Sequence, residues 1–229
     1  GRKRKELRAA YREALEQQRD LLGRSAPLVG VELDRRARAG VRQAGEQQES
    51  LRTSMSELRA KTEELSEAQV FGFAHDRIDD AMRAAAAALR EATIDRAVVR
   101  NQESASRLLQ SLLASLQDPK DERDFQDQAG GSQGGSGQGQ GQGGERLIPD
   151  MAKVRLLREM QQLVLDSTRS AADDPASFTP EDLESLATLQ KQLAEQGRAL
   201  VEQMTQAEQA LPEGRGSGQD GESSREVEP

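Results

Sequence analysis

ARAGVRQAGEQQESLRTSMSELRAKTEELSEAQ, residues 37–69, is the stretch on which the fold turns. Within it Ala37, Val41, Ala44, Gln48, Leu51, Met55, Leu58, Thr62, Leu65 and Gln69 recur at alternating steps of four and three. Residues so spaced share one stripe of an α-helix. A seven-residue repeat held for more than four heptads predicts supercoiling against a partner helix. The expectation is one unbroken seam across the whole stretch.

Working outward, the pattern extends in both directions. Upstream, Leu7, Tyr11, Ala14, Gln18 and Leu21 form a stripe that should end near Gly23, with Ser25 and Pro27 suited to the cap and first turn of the next helix. Downstream, Phe71, His75, Ile78, Met82, Ala85, Leu89 and Ala92 restart the seam, with Gly72 marking the expected break or bend. A third series runs through Ile94, Val98, Asn101, Ala105, Leu108 and Leu112, thickened by Leu109, Leu113 and Leu116, and is wide enough to face two neighbours. Asp118 and Pro119 stop this half.

Gly130 to Gly144 contains only Gly, Gln and Ser. Such a run cannot bury apolar surface, and as a flexible linker about 15 residues long it would span on the order of 20 Å. Helix resumes at Ile148 and Pro149, with Met151, Val154, Leu157, Met160 and Val164 on one face. The last helix has the best start signal: Thr179 as cap, Pro180 at the first position, Asp182 three residues after the cap, and Phe178 and Leu183 placed for a hydrophobic staple. Its seam reads Leu186, Gln190, Leu193, Gly197, Leu200, Met204, Ala207 and Leu211, and Pro212 ends it.

The expected architecture is therefore all-α, built from antiparallel coiled-coil hairpins or a helical bundle, because short joints favour antiparallel neighbours. Residues 2–118 form an N-terminal bundle, 119–146 a disordered linker, 147–212 a C-terminal hairpin and 213–229 a disordered acidic tail. The interaction seam is assigned to Val41, Gln48, Leu51, Met55, Leu58, Leu65, Ile78, Met82, Leu89, Leu186, Leu193, Leu200 and Met204. A heptad stripe names a face and not its partner, so other helices of this chain and other protein chains both remain open.

Composition supports helices and narrows function. Charged residues make up 31% of the 229-residue chain, and aromatic residues only 2%, with a single tyrosine, Tyr11, and no Trp. Ala, Leu, Glu, Gln and Arg dominate, which suits long helices buried along narrow seams, whereas strands favour β-branched and aromatic residues. The absence of Cys excludes disulfides, cysteine-ligated metals and thiol catalysis. A net charge of −8 argues against nucleic-acid binding, which a positive field drives. No run approaches the roughly 20 apolar residues of a membrane-spanning helix. The chain opens at Gly1 with its first Met at Met55, which suggests a fragment or processed product, and the excess of Arg over Lys suggests a GC-rich bacterial source.

One local phrase recurs at the seams: Ala14, Gln18, Leu21 and Ala44, Gln48, Leu51, then Leu157, Gln161, Val164 and Leu186, Gln190, Leu193. A buried amide costs stability unless paired and can fix register, so these glutamines either bond across helices or lie at poorly buried edges of the stripe. The one histidine, His75, lies near Asp76, Asp79 and Asp80, but it falls in the seam between Phe71 and Ile78, and Asp79 is spaced to pair with Arg83. A structural histidine is the better reading than a metal ligand or a base. Glu63, Glu64 and Glu67 read as a solvated charged face beside Arg59 and Lys61. The Gly-rich run lacks a phosphate-cradle ending and no nucleophile elbow is present. No catalytic residue, cofactor, metal or small-molecule ligand is therefore assigned. The basic opening, Arg2, Lys3, Arg4 and Lys5, has three readings: a flank of an upstream membrane tether or a lipid contact, an ordinary solvated terminus, or a nucleic-acid contact.

Glu46-Gln47-Gln48 leading to Thr62-Glu63-Glu64-Leu65, then Ile78-Asp79-Asp80-Ala81-Met82 with Leu89, and after the linker Ile148-Pro149 with Val154-Arg155-Leu156-Leu157-Arg158-Glu159-Met160-Gln161, carry a resemblance. In this arrangement, over residues 28–210, the chain resembles large, uncharacterised, envelope-associated bacterial coiled-coil proteins with Gly/Gln-rich linkers. The resemblance implies a membrane-tethered, extracytoplasmic helical module and supplies no catalytic residues. The function expected is a non-enzymatic scaffold or self-association module, the alternative being a signal-relay segment of a membrane-anchored receptor.

Overall fold

The computed structural model describes residues 2–117, 147–175 and 178–209. Among them there is no strand, and seven helices pack against one another. They are α1 (Arg2–Ser25), α2 (Arg35–Lys61), α3 (Glu63–Glu67), α4 (Gln69–Arg90), α5 (Arg96–Ser115), α6 (Asp150–Asp173) and α7 (Pro180–Gln209), with a 3-10 turn at Ala26–Leu28. The expected linker and acidic tail lie outside the described residues.

Helices α1, α2, α4 and α5 make an up-down-up-down four-helix bundle. Lys3 reaches Glu64 of α3, just past the end of α2, while Gln18 reaches Gln48 in the middle of α2, so α1 and α2 run antiparallel. The same holds for α2 and α4, where Arg59 pairs with Asp76, Arg52 with Asp79, and Arg90 with Glu49. Helix α5 closes the ring between α4 and α1, and it also carries α6, which packs in turn on α7. The main core is continuous through both halves, running from Leu7, Tyr11 and Leu51 through Leu109 and Leu112 to Leu156, Met160, Leu193 and Leu200. A smaller cluster of Val41, Ala85, Leu89 and Val98 closes one end of the bundle.

The helix boundaries differ from the sequence expectation at several joints. Helix α1 runs to Ser25, beyond Gly23, and Pro27 lies in the 3-10 turn instead of opening a helix. The next helix is set by Asp34, whose Oδ1 accepts from the Ala37 N–H at 2.7 Å; Gly30, at φ 73°, turns the chain before it. The seam from Ala37 to Gln69 is not one helix. The chain leaves helical geometry at Thr62 and again at Ala68, and the one-turn α3 between them places Leu65 wholly inside. Gly72, expected at the break, is buried within α4.

Ala92 does not continue the seam of α4 as expected. It adopts φ 56° and ends the helix, with Thr93 N–H donating to Ala88 O at 2.9 Å and Ala92 N–H to Leu89 O at 2.9 Å. This is the left-handed cap that glycine usually fills. Asp95 then caps α5 by accepting from the Val98 N–H. The seam of α5 passes through Gln102, not Asn101: Val98, Gln102, Ala105, Leu109, Leu112 and Leu116 are buried at steps of four and three. In α6 the buried stripe is Ala152, Leu156, Met160 and Val164, while Met151 is exposed. At α7, Thr179 and Asp182 form a reciprocal cap: Asp182 N–H donates to Thr179 Oγ1 at 3.1 Å and Thr179 N–H to Asp182 Oδ2 at 2.9 Å. The staple expected with it is not formed on the Leu183 side, since Leu183 is 48% exposed.

Two positions make opposite demands on a single methyl group. A Cβ at Gly45 would lie 2.8 Å from the Arg90 backbone nitrogen and 3.1 Å from the Leu89 carbonyl carbon, so α2 and α4 cross at a point that only glycine allows. Gly45→Ala should therefore lower unfolding free energy by about 1–3 kcal/mol, despite alanine's better helix propensity. Ala92→Gly should raise it by about 1 kcal/mol by relieving the left-handed strain. Urea denaturation of the two variants beside the parent checks both signs.

Candidate functional site

A buried polar layer lies inside the bundle. Gln18 of α1, Gln48 of α2 and Gln102 of α5 are each 0% exposed. Gln48 Nε2 donates to Gln18 Oε1 at 2.7 Å, Gln18 Nε2 and Gln102 Nε2 both donate to Gln48 Oε1 at 3.3 and 3.2 Å, and Gln18 Nε2 also reaches the Gln102 carbonyl at 3.4 Å. The register of α2 on α4, with Gly45 against Leu89 and Arg90 and Arg52 against Asp79, brings the alanine run of α4 to this level. Small side chains there leave room for three amides in a four-helix cross-section. Gln161 and Gln190, expected to repeat the layer, are exposed on α6 and α7. The missed member was Gln102, whose signal was present as a step of four after Val98 and three before Ala105.

A second polar contact crosses the bundle toward its other end. Tyr11 is wholly buried and His75 is 4% exposed, and Tyr11 Oη lies 2.8 Å from His75 Nε2, a bond that a neutral ring makes in either tautomer. Burial pushes the His75 pKa down to about 4, the Arg59 guanidinium adds to that, and Asp76 opposes it. Burial also raises the Tyr11 pKa, so both rings are neutral near pH 7. The acids beside His75 turn to arginine instead: Asp76 pairs with Arg59 of α2, Asp79 with Arg52 of α2 and Arg83, and Asp80 with Arg77 and Arg83. Hydrogen bonding from Arg52 holds Glu49 below the usual carboxylate range. Asp79 is likewise lowered, since the Arg52 and Arg83 guanidiniums outweigh the desolvation that would raise it. Charge is thus matched pair by pair along the α2–α4 groove, and His75 takes its place as a core residue bonded to Tyr11.

The basic opening is partly drawn into the fold. Arg4 is 7% exposed and its Nε donates to the Leu147 carbonyl at 3.3 Å, tying α1 to the start of the hairpin segment. Arg2 pairs with Glu6, and Lys3 with Glu64. Glu63 and Glu67 are exposed, as a solvated face requires. No described helix is long and apolar enough to cross a membrane.

The assigned seam residues divide by helix. Val41, Gln48, Leu51, Met55, Leu65, Ile78, Met82 and Leu89 are buried inside the four-helix bundle, with Leu58 half-buried. On α7, Leu193 and Leu200 are buried and Leu186 is half-buried, whereas Met204 is 44% exposed and its neighbour Val201 64%. Leu183 on α7 and Met151 and Leu165 on α6 are also exposed. Leu157 of α6 faces Gly197 of α7, where an added Cβ would stand 3.5 Å from Leu157 Cδ2, so the hairpin pairs its helices while leaving apolar side chains uncovered. The chain matches no family model, no curated protein and no solved structure.

The amide layer predicts a sign reversal between single and complete replacement. Gln48→Leu leaves two buried amides without their shared partner and should cost about 1–3 kcal/mol in a urea titration. Replacing Gln18, Gln48 and Gln102 together by Leu should instead raise the melting temperature while broadening the range of oligomeric states seen by light scattering.

His75 predicts a pH window. Its folded pKa near 4 lies below its ordinary value of 6.5, so between these values the unfolded chain takes up a proton that the folded chain refuses. The stabilisation from His75 is complete above pH 6.5 and is lost as pH falls toward 4, amounting to about 2–3 kcal/mol. Stability measured at pH 7 and pH 5 should fall in the parent, and His75→Gln should remove most of that difference.

Proposed function

We propose that the protein is a non-enzymatic structural or protein–protein interaction module, a scaffold that works through helical faces. The observation that supports this reading is the contrast between its two parts. The bundle of α1, α2, α4 and α5 buries its own seams, joins Gln18, Gln48 and Gln102 by hydrogen bonds and pairs charges across α2 and α4. The hairpin of α6 and α7 buries one side against α5 and leaves Leu183, Val201 and Met204 on α7 open. Leu183 and Met204 fall on the steps of the α7 seam and Val201 lies beside it, an exposed apolar surface that suits another amphipathic helix. In this reading the bundle is the platform and the hairpin presents the contact surface, with a second copy of the chain as the occupant.

Sedimentation equilibrium over a range of concentrations tests it. The parent chain should show a mass that rises with concentration, and Val201→Glu with Met204→Glu should return it to a monomer. Both substitutions lie at exposed sites, so helical circular dichroism and the thermal midpoint should stay at the parent values. A parent chain that stays monomeric throughout sinks the self-association reading.

A further inference from the structure

The hairpin meets the bundle unevenly along its length. Near the start of α6 the contact is continuous and apolar: Leu147, Ile148, Ala152 and Leu156 join the core that holds Leu109, Leu112 and Leu116. Toward the other end burial thins, and beyond Val164 only Ala171 of α6 is buried. Two adjoining clefts of about 470 and 450 Å³ open there between α5 and the hairpin, and both are lined by Arg100, Ser104, Leu163, Ser167 and Phe178.

Arg100 crosses this gap. Its Nη2 donates to Asp182 Oδ2 at 2.8 Å, and its guanidinium carbon lies 5.2 Å from the centroid of the Phe178 ring. A wider pair, Arg96 with Asp174 at 4.0 Å, stands beside it. Arg100 and Asp182 are about a third exposed, so salt weakens this contact, whereas the apolar end does not depend on charge. Asp182 also caps α7, so the strap grips the hairpin at the rigid start of a helix.

We propose that the α6–α7 hairpin is a flap, hinged at its Leu147–Leu156 end and strapped shut by Arg100 at the end that carries Phe178 and Asp182. Released, it opens the groove lined by Leu163, Leu189 and Leu193 without leaving the bundle. The strap acts on the platform side of the hairpin, so it is independent of whether the outer face binds a second copy.

The chain has no native cysteine, so spin labels can be placed at will in the full-length protein. Arg38→Cys with Ser170→Cys spans the strapped end, and Arg12→Cys with Arg158→Cys spans the hinged end; all four positions are exposed. Dipolar distance measurement should show the strapped-end pair shifting to longer and broader distances with Arg100→Gln. The parent should do the same in about 1 M salt, where screening shortens to roughly 3 Å. The hinged-end pair should keep its distribution in both cases. No change in the first pair under either condition overturns the strap, and equal broadening of both pairs overturns the hinge. The salt arm needs no change at Arg100, so loss of folding in the variant leaves the test intact.

Discussion

Three buried amides fix the alignment on which the rest of the bundle depends. Leucine seams alone are permissive, because an apolar knob gains nearly as much in a neighbouring hole as in its own. Gln18, Gln48 and Gln102 are not permissive, since each needs a partner at one axial level and is costly to bury elsewhere. Once that level is set, the other specific contacts fall into step. Gly45 meets the Arg90 backbone, Arg52 meets Asp79 and Tyr11 meets His75. Gln102 also marks a change in the interior, lying between Val98 of the small terminal cluster and Ala105 of the main core.

The halves of the molecule use different physics. In the bundle, each helix has two neighbours and the charged residues flanking the core are paired across helices, as in the run of Glu49, Arg52 and Asp79. In the hairpin, α6 must face α5 and α7 at once, so its buried residues recur every four positions while Leu157 turns to Gly197. Beyond Val164 the apolar contact of α6 thins, with only Ala171 buried. The clefts beside Arg100 are the geometric result, and polar and aromatic contacts span them where apolar packing runs out.

Much of this was legible in the chain. The steps of four and three identified the helices and most buried positions, and the repeated Ala-Gln-Leu phrase pointed to Gln18 and Gln48. Phase was harder to read: from Val98 the series can step three to Asn101 or four to Gln102 and rejoin at Ala105 either way. Only the partners across the core decide between them. The breaks at Thr62 and Ala68 carry no glycine or proline, because they serve to bring Leu65 inside, a tertiary demand with no local signature. Conversely, Gly72 looked like a hinge and lies within a helix, while Ala92 looked like a seam residue and takes a left-handed turn. Which faces would meet within the chain and which would remain uncovered could not be read from periodicity.

The burial of Tyr11 has a practical corollary. It is the only tyrosine in a chain without tryptophan, so near-ultraviolet absorbance and emission come mainly from one phenol held against an imidazole in the bundle interior. The signal of that phenol reports on the platform and not on the flap. The molecule thus carries its own spectroscopic separation between collapse of the scaffold and rearrangement of what rides on it.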